Sequence, residues 1–294
     1  MADSDWLAKQ FEQNRGHLRA LAYRMLGSLS EADDAVQESW LRLSRSDTKS
    51  IENLAGWLTT VTSRVCLDIL RSRTSRREES LEAQVIEPSP RQQGTPDPEQ
   101  EAQMAESVGL ALLVVLDRLT PAERLAFVLH DIFSISFDEI AAIVGRSADA
   151  TRQLASRARH RVQGATVEPD VDRVQQREIA SSFLDALRRG DVEGVVAVLD
   201  PDVVVQIDHA AGRPGGAPVE IRGARNWAQG AMAFTRFVRF VQLALIDGNV
   251  GLILAPGGRL SRVLQFTTAK GRIAHVDVIT DPTRLRGLDL RILE

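Results

Sequence analysis

The chain has almost no cysteine: Cys66 is the single one in 294 residues. A lone thiol closes no internal disulfide and builds no zinc cluster, so a reducing, cytoplasmic setting is expected. Set in an apolar helical pattern, Cys66 reads as a small core residue. Lysine is nearly as scarce, with Lys9, Lys49 and Lys270 against 33 arginines. Arginine suits bidentate contacts to phosphate and guanine, although codon composition alone gives the same bias. No window approaches the roughly 18 consecutive apolar residues of a membrane span, so no membrane partner is expected. The opening MADSDWLAKQFEQNRG lacks the apolar core of a signal peptide. No HExxH, no GxSxG and no pair of histidines at metal spacing occurs, and no cofactor, metal or catalytic constellation is expected. Short-period repeats are also missing.

What is present is enough chain for two or three domains. The net charge is −4, which by itself disfavours a nucleic-acid partner. Its distribution points the other way. Arg64 to Arg77 holds five arginines and one aspartate, and Arg146 to Arg161 again holds five and one, with His160 besides. Local sign outweighs the total when the partner is a phosphate backbone. Many of the compensating acids fall in 78–106, an acidic stretch rich in Pro and Gln that reads as a flexible linker. Two helical blocks, 5–77 and 107–162, flank it. After a second short linker, 163–176, two helices and then β-rich runs carry the chain to about Thr280, leaving a tail, 281–294.

The first block separates by face. In LSEADDAVQESWLRL, Ser30 is the expected N-cap. Val36, Trp40 and Leu43 form one apolar stripe. Asp34, Gln37, Glu38 and Leu41 form a second, on another face, which is either ordinary solvated surface or a docking face. In ENLAGWLTTVTSRVCLDILRSR, Leu54, Leu58, Val61, Val65 and Ile69 share a face. That run ends in Arg71, Arg73, Arg76 and Arg77, and four cations in seven residues exceed what a helix C-terminus needs.

The second block holds the sharpest pattern. Thr120-Pro121-Ala122-Glu123 is a helix start, with threonine as cap, proline at the first position and glutamate at the third; Leu125, Val128 and Leu129 continue its apolar face. Ser136 caps a short helix beginning at Phe137, in which Ala141 permits close helix approach. Gly145 sits where a positive φ is needed. Ser147 caps a third helix whose outer face offers Arg152, Gln153, Ser156, Arg157 and Arg159. This is the layout of a helix-turn-helix, with arginine and glutamine able to read base edges; a plain amphipathic αα-hairpin remains the alternative.

Together these motifs resemble the extracytoplasmic-function sigma factors, over residues 5–162 and in the family's order. DDAVQESWLRL is similar to the region 2 motif that docks on polymerase. GWLTTVTSRVCLDILRSR is similar to the segment that melts and reads the minus-ten element. LTPAERLAFVLHD and FDEIAAIVGRSADATRQLASRAR are similar to region 4, which reads the minus-thirty-five element. Two departures stand out: Arg64 occupies a position where many members carry asparagine, and Leu154 one where a basic residue is common. The resemblance implies that Asp34, Gln37, Glu38 and Leu41 meet core RNA polymerase, whose clamp helices and flap are the expected partners. It implies that Arg64, Arg71, Arg73, Arg76 and Arg77 engage the opened strand of promoter DNA, while Arg152, Gln153, Ser156, Arg157 and Arg159 engage the duplex upstream.

The last third, 177–280, resembles the SnoaL-like cone fused to one subgroup, the sigma factor J type. REIASSFLDALRRGDVEGVVAVLDPDVVVQID matches its entry of helix, Gly190-Asp191 turn, helix and first strand, with further strands expected near 237–247, 249–254, 259–268 and 272–279. The subgroup's Asp-initiated loop and its tail have degenerate counterparts in Asp208 to Arg213 and in Asp281-Pro282-Thr283-Arg284-Leu285. A regulatory role is therefore expected for Asp208, Arg213, Asp281, Pro282 and Leu285. The expected fold is multidomain: two all-α sigma domains, a region 2 bundle and a region 4 helix-turn-helix, followed by an α+β SnoaL-like cone. Cones of this kind include polyketide cyclases, for which Asp208, His209, His275 and Asp277 are the candidate acids and bases here, but no constellation forms. The expected protein is not an enzyme. It directs initiation and is modulated in cis by its cone, whose pocket has room for a small-molecule ligand. The alternatives are a repressor or activator that uses the cone as sensor, and a cyclase-like enzyme with an appended DNA-binding module.

Overall fold

A computed structural model describes residues 2–47, 51–82, 109–163, 171–208 and 217–293. They fall into two compact units, one of residues 1–101 with 116–159, the other of 102–115 with 160–294.

The first unit begins with three helices, α1 (Ala2–Leu26), α2 (Leu29–Ser44) and α3 (Leu54–Glu82). They bury Leu18, Leu21, Met25, Leu29, Leu43, Leu58 and Leu67 among themselves. Val36 and Leu43 lie inward as expected, and Trp40, half-buried, packs its ring 5.0 Å from Phe11. The cap of α2 is Ser28, whose hydroxyl accepts from the Glu31 amide, and not Ser30. The helix thus starts two residues earlier than a cap at Ser30 implies, at Leu29, which is itself buried. In α3 the buried face is broader than an apolar stripe. Thr59, Thr62 and Ser63 are buried beside Leu58, Val65 and Cys66, while Val61 and Ile69 are only half-buried. The reason is a hydroxyl pair: Ser39 and Thr62 lie 2.9 Å apart across α2 and α3, and Ser39 also donates to the Ala35 carbonyl. Helix α3 continues five residues beyond the expected end at Arg77, to Glu82. Its arginines therefore sit before its last turn, which holds no basic residue, so they do not serve the helix dipole.

Next come α4 (Leu110–Asp117), α5 (Pro121–Phe127), a π-helical turn (Val128–Ile132), α6 (Phe137–Val144) and α7 (Ala148–Gln163). Thr120 and Ser136 each close a full capping box, with Glu123 and Glu139. Gly145 turns the chain at φ 73°, where a β-carbon would be strained. Leu125, Val128 and Leu129 are completely buried. So is most of one side of α7, at Thr151, Leu154, Ala155 and Ala158, which explains the non-basic Leu154: it faces the core.

The second unit holds the α+β cone, together with residues 110–115 of α4 and 160–163 of α7. Helices α8 (Val171–Arg189) and α9 (Val192–Val198) precede β1 (Leu199–Ile207) and β2 (Val219–Arg222). Helix α10 (Ala224–Met232) and a 3₁₀ segment (Thr235–Phe240) lead into β3 (Val241–Ile246), β4 (Asn249–Leu254), β5 (Arg262–Ala269) and β6 (Arg272–Ile279). With β7 (Leu290–Arg291) the sheet order is β2-β1-β6-β5-β4-β3-β7, antiparallel except for the β1–β6 pair. Phe183 of α8 meets Phe266 of β5 edge-on at 5.5 Å, in a core shared with Trp227, Val205 and Val276. Two expectations need correction. Helix α8 begins at Val171, inside the presumed linker 163–176. Helix α10 and the 3₁₀ segment occupy ground read as turn and strand, because Trp227, Ala228 and Ala231 bury one helical face that a β pattern hides. The tail is ordered structure: α11 (Pro282–Gly287) is followed by β7 (Leu290–Arg291), which pairs with β3.

Two glycines test this packing in opposite senses. A β-carbon on Gly251 in β4 would lie 2.4 Å from the Leu264 carbonyl oxygen, whereas Gly230 in α10 is exposed with open space around it. Gly251→Ala is expected to destabilise the cone by about 1–3 kcal/mol. Gly230→Ala is expected to stabilise it by about 0.5–1 kcal/mol. Denaturant titration of the two variants checks both signs.

Candidate nucleic-acid and polymerase interface

Asp34, Gln37 and Leu41 lie exposed along α2, Leu41 at 38%, and Glu38 is half-buried and ion-paired to Arg42 at 2.9 Å. The stripe is thus a separate face from the buried one. Beside it runs a groove of about 230 Å³ between α1 and α2, lined by Phe11, Glu12, Asp33, Gln37 and Trp40. Sequence reasoning missed this groove because the Phe11–Trp40 pairing joins two helices.

The arginines of α3 divide. Arg71 is exposed. Arg64 is exposed and donates to the Ala142 carbonyl of α6 at 3.3 Å. Arg73 is taken up in packing: it donates to the Leu26 carbonyl at 3.2 Å and is ion-paired to Glu31, tying α3 to the α1–α2 corner. The side chains of Arg76 and Arg77 lie outside the described residues.

On α7, Arg152, Gln153, Ser156 and Arg157 are exposed and Arg159 is half-buried. One face of the helix is buried and the other carries the expected readers. Each arginine has a local partner. Arg152 pairs with Asp149 at 2.5 Å and lies over the Phe137 ring, Arg157 sits 3.8 Å from Glu123, and Arg159 pairs with Asp131 at 2.6 Å. Only the Arg152–Asp149 pair is exposed on both sides, and such a pair is worth about 0–1 kcal/mol. A phosphate or guanine contact, charge-assisted and bidentate, outweighs it.

A further arginine was not legible as functional or structural. Arg124 of α5 is almost fully buried, donates Nε–H to the Arg24 carbonyl at 3.2 Å and lies 3.5 Å from Asp117. Burial pulls its pKa down to about 10, against the opposing pull of Asp117. Nearby Cys66 is pushed up to about 12 by burial, which leaves it a neutral core thiol.

In the cone, Asp208 joins the end of β1 to the tail. Its carboxylate, with the side chain 8% exposed, accepts from the Thr280 amide (2.8 Å) and hydroxyl (2.7 Å) and from the Asp281 amide (3.0 Å), with Arg284 at 3.5 Å. Arg284 also reaches Asp277 at 3.2 Å. Asp281 in turn caps α11 by accepting from the Thr283 and Arg284 amides, Pro282 opens the helix and Leu285 is buried. Of the five residues expected to regulate, four meet here; Arg213, like His209, lies outside the described residues. Burial pushes the Asp208 carboxyl up, but the hydrogen bonds from Thr280 and Asp281 and the Arg284 charge more than reverse it, and its pKa lies below the ordinary value. A carboxylate so saturated is a cap and not a general base. Among the described residues no grouping of His, Cys, Asp and Glu fits a metal ion.

A depressed carboxyl pKa adds stability that is present above the unfolded value, near 4, and lost as pH falls through the folded one. Asp208→Asn should therefore lower cone stability at pH 7 by on the order of 1.5–3 kcal/mol. The gap to wild type should begin to narrow near pH 4 and close as pH falls through the lowered folded value. Paired denaturation curves from pH 7 to pH 3 measure it.

The model for Sigma-70 region 2 matches residues 10–76, and that for Sigma-70 region 4 matches 109–162. Among curated relatives, the probable ECF RNA polymerase sigma factor SigI of Mycobacterium tuberculosis is 32% identical, over 98% of both chains. The ECF RNA polymerase sigma factor SigJ of the same species is 36% identical, over 96% of this chain and 94% of its own. The crystal structure of the latter aligns over 95% of this chain and 98% of its own, with 31% identity and a TM-score of 0.44. With a three-helix region 2, a helix-turn-helix region 4 and whole-length relatives that share the additional C-terminal third, this chain belongs to the ECF RNA polymerase sigma factors.

Proposed function

We propose that the protein binds core RNA polymerase and directs promoter-specific initiation, with its cone modulating that activity in cis. The observation that carries this reading is the second face of α2. Asp34, Gln37, Glu38 and Leu41 stand off the core in a chain that also presents a helix-turn-helix, and a repressor has no use for that stripe. In this reading the stripe and the adjoining groove dock on the clamp helices. Arg64 and Arg71, with Arg76 and Arg77, line the path of the opened minus-ten strand, where a basic groove and splayed bases are needed. Arg152, Gln153, Ser156, Arg157 and Arg159 enter the major groove upstream. Two weak readers on one chain reinforce each other only when promoter spacing suits both. The polymerase supplies the chemistry, and the protein works in the cytoplasm.

Regulation by the cone is supported by chain organisation. Residues 102–115 and 160–163, which flank the helix-turn-helix, belong to the same compact unit as the cone. Within that unit the Ala111 amide donates to Gln242 of β3 at 2.8 Å, and the Ile292 amide donates to the Val162 carbonyl at 3.2 Å. The tail anchored by Asp208 is thereby tied to the end of α7. We propose residues 5–77 and 107–162 as the sigma domains and residues 171–291, from the start of α8 to β7, as the cone.

Run-off transcription with purified core polymerase on genomic fragments tests the main claim; tight DNA binding without any transcript would favour a repressor. Gln37→Ala with Glu38→Ala should weaken core binding while changing stability by no more than about 0.5 kcal/mol each. Arg152→Ala and Arg157→Ala should each reduce upstream-element binding by about 1–3 kcal/mol where they contact bases. A phosphate contact would instead weaken all sequences alike and flatten the salt slope.

A further inference from the structure

Between α8, α10, the 3₁₀ segment and the sheet lies a cavity of about 50 Å³, partly open to solvent. Its walls are apolar, with Phe183, Leu187, Phe237, Leu252 and Leu264 among them. Two of the side chains lining it break the pattern. The Trp227 indole N–H and the Arg262 Nε–H are both buried and both lack a hydrogen-bond acceptor. Buried donors are almost always satisfied, and leaving one unpaired costs about 1–3 kcal/mol. Two on the walls of one apolar cavity call for an acceptor that the fold itself does not supply. Arg262 brings a charge as well. Its guanidinium lies 4.4 Å from the Phe234 ring centroid and is held below the ordinary arginine pKa by burial, with only the distant pull of Asp208 opposing. Asp208 is already taken up by Thr280, Asp281 and Arg284.

We propose that this cavity binds a short-chain monocarboxylate, its oxygens accepting from Arg262 and Trp227 and its alkyl end lying among the apolar walls. The cation selects an anion over a neutral acceptor. The size selects a short chain. A cavity needs roughly 10–15 Å³ to hold a water, and one of about 150 Å³ holds benzene, so the present volume takes an alkyl end of a few carbons and no ring. Burial of that end also removes apolar surface from water, which favours an alkyl carboxylate over formate.

The experiment titrates the full-length chain with butyrate, and separately with 1-butanol, formate and benzoate, by saturation-transfer NMR at pH 7. Wild type should bind butyrate saturably and at least tenfold more tightly than 1-butanol or formate, and benzoate more weakly than butyrate. Arg262→Met should remove the preference for butyrate over 1-butanol, and Trp227→Phe should weaken butyrate several-fold. Circular dichroism verifies that each variant is folded; should Arg262→Met be melted at the assay temperature, Arg262→Gln, which keeps a donor without the charge, is read in its place. No saturable butyrate binding to wild type, equal binding of 1-butanol, or an unchanged preference in the folded Arg262 variant would each overturn the proposal. Transcription enters none of these readouts, so their failure leaves the sigma-factor reading standing.

Discussion

A guanidinium taken out of water has to be held by something, and in the first unit that requirement fixes much of the packing. Arg124 is buried at the start of α5, where the Thr120–Glu123 capping box sets the helix and its direction. It reaches the last turn of α1 through the Arg24 carbonyl and the end of α4 through Asp117. Asp117 is itself 43% exposed, so the pair is only half desolvated, which limits its cost. The same corner gathers Arg73, bonded to the Leu26 carbonyl, and Glu31. The carbonyls that α1 leaves open at its C-terminus are thus met by arginines from α3 and α5, a use of cations that suits the negative end of a helix.

Features written within a few residues of one another were legible beforehand. Both capping boxes, the left-handed Gly145 and the inward Leu125, Val128 and Leu129 follow from local spacing alone. So does the split of α2 into a core face and a solvent face, since 3.6-residue periodicity is a local property. What escaped depends on partners far along the chain. Ser28 displaces Ser30 as cap because Leu29 must be buried against other helices. Thr62 is buried because Ser39, twenty-three residues away, supplies its hydrogen bond. Arg73 and Arg124 look like their exposed neighbours in sequence, and only the carbonyls of α1 distinguish them.

The interface showed the same division. The exposed face of α7 could be named because positions at helical spacing, Leu154 and Ala158 among them, are apolar and mark the opposite face as buried. The groove beside Gln37 could not, since it forms only when Phe11 of α1 meets Trp40 of α2. In the cone, the degenerate loop and tail motifs are joined by Asp208, whose acceptors are filled by residues more than seventy positions later. The weakly matching loop and tail segments thus meet at one hydrogen-bonded carboxylate within this chain.

The sheet of the cone ends on both sides in very short strands. β2 has four residues and β7 has two, while the strands between them run to six or more. A long bare edge is a template on which another chain can add itself as the next strand. Each stub pairs with only part of its neighbour, β2 with Val204–Ile207 of β1 and β7 with Leu245 and Ile246 of β3, so each edge of the cone is broken into short stretches and is not one long template.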